Sequence, residues 1–199
     1  MFYKSLSLAL PANLVYSKGM KIPRFILTKK PMVYLLGCVS VCILLNACVT
    51  PRGVLQDRNF KKRDTQYRIG DPGKNWQRLY LKDADLAWLN ERSSSTILVN
   101  SQCKEAKDIP LAALTVQLLI GMTEQNIESQ TTLPWSDREA LETIVTAKID
   151  GISRKLNIFV LKKDGCVYDI IFAAPPNFFD KEVAAYHDIR DQFDAGSKK

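Results

Sequence analysis

The chain has 199 residues, with 28 lysines and arginines against 21 aspartates and glutamates, five cysteines and a single histidine. Its formal charge of +7 is local: six bases (Lys4, Lys18, Lys21, Arg24, Lys29, Lys30) and no acid precede Cys48, which leaves 22 bases against 21 acids from there on. With no basic stripe interleaved with aromatics, a nucleic-acid partner is excluded. His187 and scattered cysteines do not make a metal-ligand set, and no metal or other cofactor is expected.

In chain order, the first feature is a basic stretch (Lys21, Arg24, Lys29, Lys30) followed by the apolar run Val33 to Leu45, VYLLGCVSVCILL. Thirteen residues make a helix of about 20 Å, short of the roughly 30 Å of hydrocarbon that a spanning helix crosses. A charged start, a short apolar middle and small residues before a cut are the parts of a secretory signal peptide. Met20 opens the same pattern and is an alternative start. The tetrapeptide Leu45-Asn46-Ala47-Cys48 that closes the run resembles the lipobox of bacterial lipoproteins, although Asn46 is a less usual occupant of its position. The resemblance implies cleavage before Cys48, a diacylglyceryl group on its sulfur and often a third chain on the new amino terminus. Two or more chains make attachment durable, where one does not. Val49 follows the cysteine with no acid to suggest retention at the inner membrane, so the expected location is the periplasmic face of the outer membrane. The other reading is an uncleaved anchor over residues 32–49.

Residues 48–74 are polar, charged and poor in apolar periodicity, a composition expected of a flexible tether. Arg58, Lys61, Lys62 and Arg63 lie within it, and Asp71-Pro72-Gly73 marks the boundary with one globular domain over 75–196. Within that domain, short strands are expected at Trp76–Leu81, Asp85–Leu89 and Thr96–Asn100, with a turn at Arg92-Ser93-Ser94-Ser95. Pro110 opens a helix and Gly121 closes it, with Leu111, Leu114, Val116, Leu118 and Leu119 as its apolar face. Leu141, Thr143, Val145, Ala147 and Ile149 then alternate at period two, as do Leu156, Ile158 and Val160. Asp150-Gly151 and Asp164-Gly165 supply the turns of an antiparallel meander that ends with Val167–Ala173. Pro175-Pro176-Asn177 starts a last helix whose Phe179, Val183, Tyr186, Ile189 or Arg190, and Phe193 form one stripe. The expected fold class is α+β, an antiparallel twisted sheet with helices packed on it.

Strands, helix, meander, Ala-Ala-Pro-Pro and terminal helix together resemble the PsbP-like α-β-α sandwich over residues 76–195. The resemblance lies in the order of elements and carries no site residue. It implies a protein that binds or assembles others, not an enzyme.

Cys38 and Cys42 fall in the apolar run, and Cys48 is the residue to be lipidated. Cys103 and Cys166 remain as candidates for a disulfide in an oxidising compartment, the alternative being two separately buried thiols. No catalytic set is visible. Ser93–Ser95 has no general base at readable spacing, and Glu139, Glu142 and Asp150 are not paired by spacing. The expected function is that of a membrane-anchored periplasmic lipoprotein, a non-enzymatic accessory or assembly module that docks on an envelope protein. The alternative is a carrier of lipid or another hydrophobic ligand, auxiliary to an ABC-type transport system, with Trp76, Trp88, Phe159, Phe178 and Phe179 lining a cavity.

Overall fold

The computed structural model describes residues 53–103 and 109–196. In chain order these form β1 (Val54–Gln56), β2 (Asn59–Lys62), β3 (Thr65–Arg68), β4 (Gln77–Leu79), β5 (Leu86–Asn90) and β6 (Ser95–Cys103). They continue with α1 (Leu111–Leu118), β7 (Thr123–Trp135), β8 (Arg138–Ile149), β9 (Ile152–Lys163), β10 (Cys166–Ala174) and α2 (Pro176–Asp191). The candidate signal segment and Cys48 lie outside the described residues.

Turn chemistry explains the meander. Asp150 and Gly151 take φ of 51° and 79°, Asp164 and Gly165 take 51° and 75°. Positive φ at both central residues gives the two-residue turn whose twist matches that of the strands it joins. β8, β9 and β10 thus run antiparallel in register, with Ile149 opposite Ile152 and Lys163 opposite Cys166. The complete sheet has seven antiparallel strands in the order β4-β5-β6-β10-β9-β8-β7. The fold is α+β.

Alternation sends each strand's side chains to two separate cores. Ile97, Val99, Phe159, Leu161, Tyr168, Ile170 and Phe172 point to one face, where they meet Phe179, Tyr186 and Ile189 of α2. Leu98, Val145, Ala147, Leu156, Ile158, Val160 and Ile171 point to the other, where Leu114 of α1 and Leu119 just after it cover them. This is an α-β-α layering, with α1 and α2 on opposite faces. α1 departs from its expected face in one respect: Val116 is 59% exposed. Only Leu114 and Thr115 of the helix are fully buried.

The expected tether is corrected. Residues 54–68 form a second antiparallel sheet, β1-β2-β3, on the α2 side of the large one. Phe60, Thr65, Tyr67 and Ile69 are buried while Asn59, Lys61, Gln66 and Arg68 are exposed. That is a period-two pattern written with few apolar letters. Phe60 stacks on Tyr67 with ring centroids 4.8 Å apart, and Tyr67 meets Phe193 at 5.3 Å. Arg68 and Asp194 exchange both backbone hydrogen bonds, at 2.8 and 3.0 Å, tying β3 to the chain beyond α2. A Cβ on Gly70 would lie 1.9 Å from the Asp188 carbonyl oxygen, so only glycine lets the chain pass this close to the helix. The domain therefore begins at or before Gly53, not at residue 75.

Two aromatic rings with no exposed surface identify β2 and β3 as part of the core. Phe60→Ala and Tyr67→Ala are expected to cost about 3–5 kcal/mol each in urea unfolding, the range for emptying a buried aromatic site. A solvated tether would leave the midpoint unchanged.

Candidate functional site

Three polar clusters hold the layers together, and each closes on structural partners. Lys62 Nζ pairs with Asp85 Oδ1 at 2.7 Å and donates to the Ser101 carbonyl at 2.6 Å. The hydroxyls of Ser101 and, at 3.5 Å, Tyr67 donate to Asp85 Oδ2. One carboxylate thus fastens the small sheet to the large one. Burial foremost, then the charge of Asp85, pushes the Tyr67 hydroxyl well above its ordinary pKa, so it remains a donor. In the second cluster Arg190 of α2 pairs with Glu142 of β8. The buried Tyr186 hydroxyl lies 3.2 Å from the same carboxylate and 3.3 Å from Asn157 Oδ1. One hydroxyl hydrogen serves only one of these two acceptors at a time. In the third, Glu182 of α2 accepts from Asn90 at 3.0 Å and Ser93 at 2.6 Å.

The catalytic candidates are placed separately in the fold. Ser93 serves to fasten its turn to α2, Ser94 takes φ of 56°, and Ser95 is buried. Glu142 is committed to Arg190 and Asp150 to its turn, while Glu139 sits exposed in the β7–β8 hairpin region. The fold does not bring the three acids together as a set. His187 lies beside Tyr186, ring centroids 5.6 Å apart and tilted, half-buried on α2. Among the described residues no group of three or more His, Cys, Asp or Glu side chains is arranged to hold a metal ion.

The aromatics offered for a ligand cavity are packed against their neighbours instead. Trp76 meets Phe172 at 6.4 Å, Phe179 meets Phe172 at 5.2 Å, and Phe159 meets Trp135 at 5.0 Å. Trp88 is buried beneath the Arg78 guanidinium at 4.7 Å, and the half-buried Phe178 lies under Lys181 at 5.3 Å. A hollow of about 700 Å³ at Pro134–Glu139 is walled by that hairpin alone. It offers no enclosing apolar lining.

Cys103 and Cys166 are cross-strand partners at the end of β6 and the start of β10. Their Cα atoms are 4.0 Å apart and their sulfurs 2.08 Å, joined as a disulfide. Thr65 Oγ1 lies 2.7 Å from the Cys103 sulfur, which places the small sheet over the bridge.

What the packing leaves uncovered is a surface around α1 and β7. From Ile109 to Thr123 no residue is charged. A helix apolar all round is normally buried, yet Ala112, Ala113, Val116 and Ile120 form an exposed stripe at spacings of three and four. Val116 and Ile120 are 59% and 58% exposed. Ile127 of β7, 51% exposed, lies opposite Val145, and Ile152, 54% exposed, lies opposite Ile149. Cross-strand partners share a face, and Val145 and Ile149 face α1. These four exposed apolar side chains, Val116, Ile120, Ile127 and Ile152, are therefore all on the α1 side. Sequence periodicity missed this surface because it assigned Val116 inward and found no strand between 122 and 139.

β7 adds an unpaired edge. It has thirteen residues, about 40 Å of strand, and pairs with β8 alone. Bulges interrupt it between Thr123 and Asn126 and between Ile127 and Ser129, and Pro134 lies near its end. Such devices blunt an edge against indiscriminate pairing. Between them Ser129–Leu133 runs uninterrupted.

No family model matches the chain, and no curated protein matches it either. Among solved structures it is similar to cyanobacterial PsbP (CyanoP) from Synechocystis sp. PCC 6803. That likeness has a TM-score of 0.49 at 11% identity, over 76% of this chain and 99% of that one. It is also similar to LpqN, described as involved in cell envelope biogenesis of Mycobacterium tuberculosis, with a TM-score of 0.46 at 15% identity over 66% and 84% of the two chains. A third is a protein of unknown function from Pseudomonas aeruginosa, at 0.45 and 11% over 75% and 100%. These likenesses bear on neither activity nor partners. Among the described residues no helix is long and apolar enough to cross a membrane.

Two buried features give measurable expectations. Asp169, on the α1-facing side of β10, is held up to about 7 by burial first and by the charge of Asp85 second. An acid raised in the folded state favours folding while protonated, so its stability is complete below the ordinary value of 3.8 and lost as pH rises toward 7. Asp169→Asn is expected to flatten that fall, with a gain of about 1–3 kcal/mol at pH 7.5 and little change at pH 4 in urea titrations. For the sulfurs, non-reducing mass spectrometry should find Cys103 joined to Cys166. Cys103→Ser with Cys166→Ser should lower stability by on the order of 4 kcal/mol.

Proposed function

We propose that this chain is a lipoprotein anchored through Cys48 to the periplasmic face of the outer membrane. Its domain works without catalysis, as an accessory module that docks on an envelope protein through the α1–β7 face. The observation that carries the docking reading is the charge-free helix whose outer stripe stays exposed beside an unpaired strand. Burying that stripe would recover a few kcal/mol of apolar contact. The edge backbone groups of β7 call for a polypeptide, because hydrocarbon offers no donors or acceptors to pair with them. That combination favours a protein partner over a hydrophobic ligand, whose expected lining aromatics are taken up by packing.

The anchor rests on Leu45-Asn46-Ala47-Cys48 and the apolar run before it. The proposed bridge between Cys103 and Cys166 suits the same compartment.

Metabolic labelling with palmitate should mark the native chain and not Cys48→Ser; equal label in both would end the anchor reading. For docking, a photo-crosslinker at Ala113 in intact cells should give a discrete adduct that Val116→Asp with Ile120→Asp abolishes. Both sites are exposed, so the unfolding midpoint should move by no more than about 0.5 kcal/mol per substitution. An adduct indifferent to the two charges would refute the face.

A further inference from the structure

The small sheet changes what a lipid on Cys48 would do. With a polar tether running to residue 74, the domain would drift tens of ångströms from the bilayer. With Gly53 already entering the sheet, four residues separate it from Cys48, and that stretch reaches at most about 18 Å. β1 must then lie close to the headgroups.

The surface presented there is of the right kind. Val54, Lys61 and Gln66 form one cross-strand row and Asn59 and Arg68 another. All are exposed, on the side of the sheet opposite Phe60 and Tyr67. That outward face carries two bases and no acid. Val54 is 64% exposed, an apolar side chain at the foot of the anchor. Arg58 and Arg63 are exposed in the turns at its two ends. The charge of the chain is divided in the same way: from Cys48 to Lys74 seven bases face three acids, while residues 75–199 hold 15 bases and 18 acids. Attraction of juxtamembrane bases to anionic lipid falls off within a Debye length. A short anchor holds them inside that range, and the acidic remainder is repelled from it.

We infer that the outward face of β1–β3 lies on the membrane surface against anionic headgroups, fixing the domain with α2 and the small sheet toward the bilayer and α1 away from it. This rests on the proposed lipidation of Cys48.

The test uses the protein as purified from the membranes of expressing cells, placed in vesicles of phosphatidylethanolamine with phosphatidylglycerol and kept oxidised so that Cys103 and Cys166 stay bridged. A fluorophore is placed by Gln66→Cys in one sample and by Ala113→Cys in another, and quenching by a nitroxide on the lipid headgroup is compared. Mass spectrometry of the same samples reports the state of Cys48. Quenching several-fold greater at residue 66 than at residue 113 is the expected result. Lys61→Glu with Arg68→Glu should remove most of that difference. Equal quenching at the two sites on acylated protein overturns the orientation and leaves the anchor standing. A difference that survives charge reversal overturns the headgroup contact. Unmodified Cys48 overturns both the anchor and the orientation.

Discussion

β10 is the strand on which everything else is assembled. All nine of its residues are buried, and it pairs with β6 on one side and β9 on the other. Its tyrosine, isoleucine and phenylalanine at 168, 170 and 172 hold α2, while Val167, Ile171 and Ala173 face the α1 core. At roughly 1.5–3 kcal/mol for each large apolar side chain removed from water, β10 contributes to both cores along its whole length. A strand buried on both faces reads as continuous apolar sequence rather than as alternation, and VYDIIFA has that character. Asp169 is the exception, a carboxyl whose pKa is held up to about 7 because ionising there would strip a charge of its water.

The legible part of the fold is the part whose residue types had no alternative. Asp150-Gly151 and Asp164-Gly165 announced hairpins because both residues need positive φ, and the structure puts them there. Two further hairpins use the same geometry without glycine. Asp57 and Arg58 take φ of 48° and 64°, Ser136 and Asp137 take 48° and 61°. An arginine in the left-handed region gives no warning in sequence, so β1–β2 and β7–β8 went unread. The strand β7 hid for a second reason. Its side chains are mostly exposed on both faces, and alternation exists only where one face is buried. In β2 and β3 the alternation was present, as Phe60, Thr65, Tyr67 and Ile69, but the charged residues between them outweighed it in composition. The signal missed there was period, not hydrophobicity. The exposed side of α1 was missed for the opposite reason: a helix apolar all round does not tell which residues face inward.

The polar chemistry of this domain is spent between layers. Asp85 joins the small sheet to the large one, Glu142 with Arg190 and Tyr186 joins α2 to β8, and Glu182 joins α2 to the turn after β5. Leaving one partner of such a cluster buried alone costs more than the cluster contributes when complete. These groups are therefore best understood as specifying how the layers sit. On the proposed reading function falls to surfaces, where the sequence is least constrained by packing and least readable by pattern.

Two surfaces stand out, and the order of layers sets them on opposite sides of the sheet. The small sheet packs on the α2 face and carries the bases; α1 covers the other face and carries the bare apolar stripe. On the proposed reading, an anchor of four residues turns this division into an orientation: the basic face meets lipid and the apolar face meets whatever stands deeper in the periplasm. A long tether would give the docking face every direction equally and raise its local concentration only modestly. A short one confines it to a half-space and fixes its height above the bilayer, which favours a partner whose own site lies at that height. The folding of residues 54–69, more than any feature of α1 itself, is thus what would decide which envelope proteins the docking face can reach.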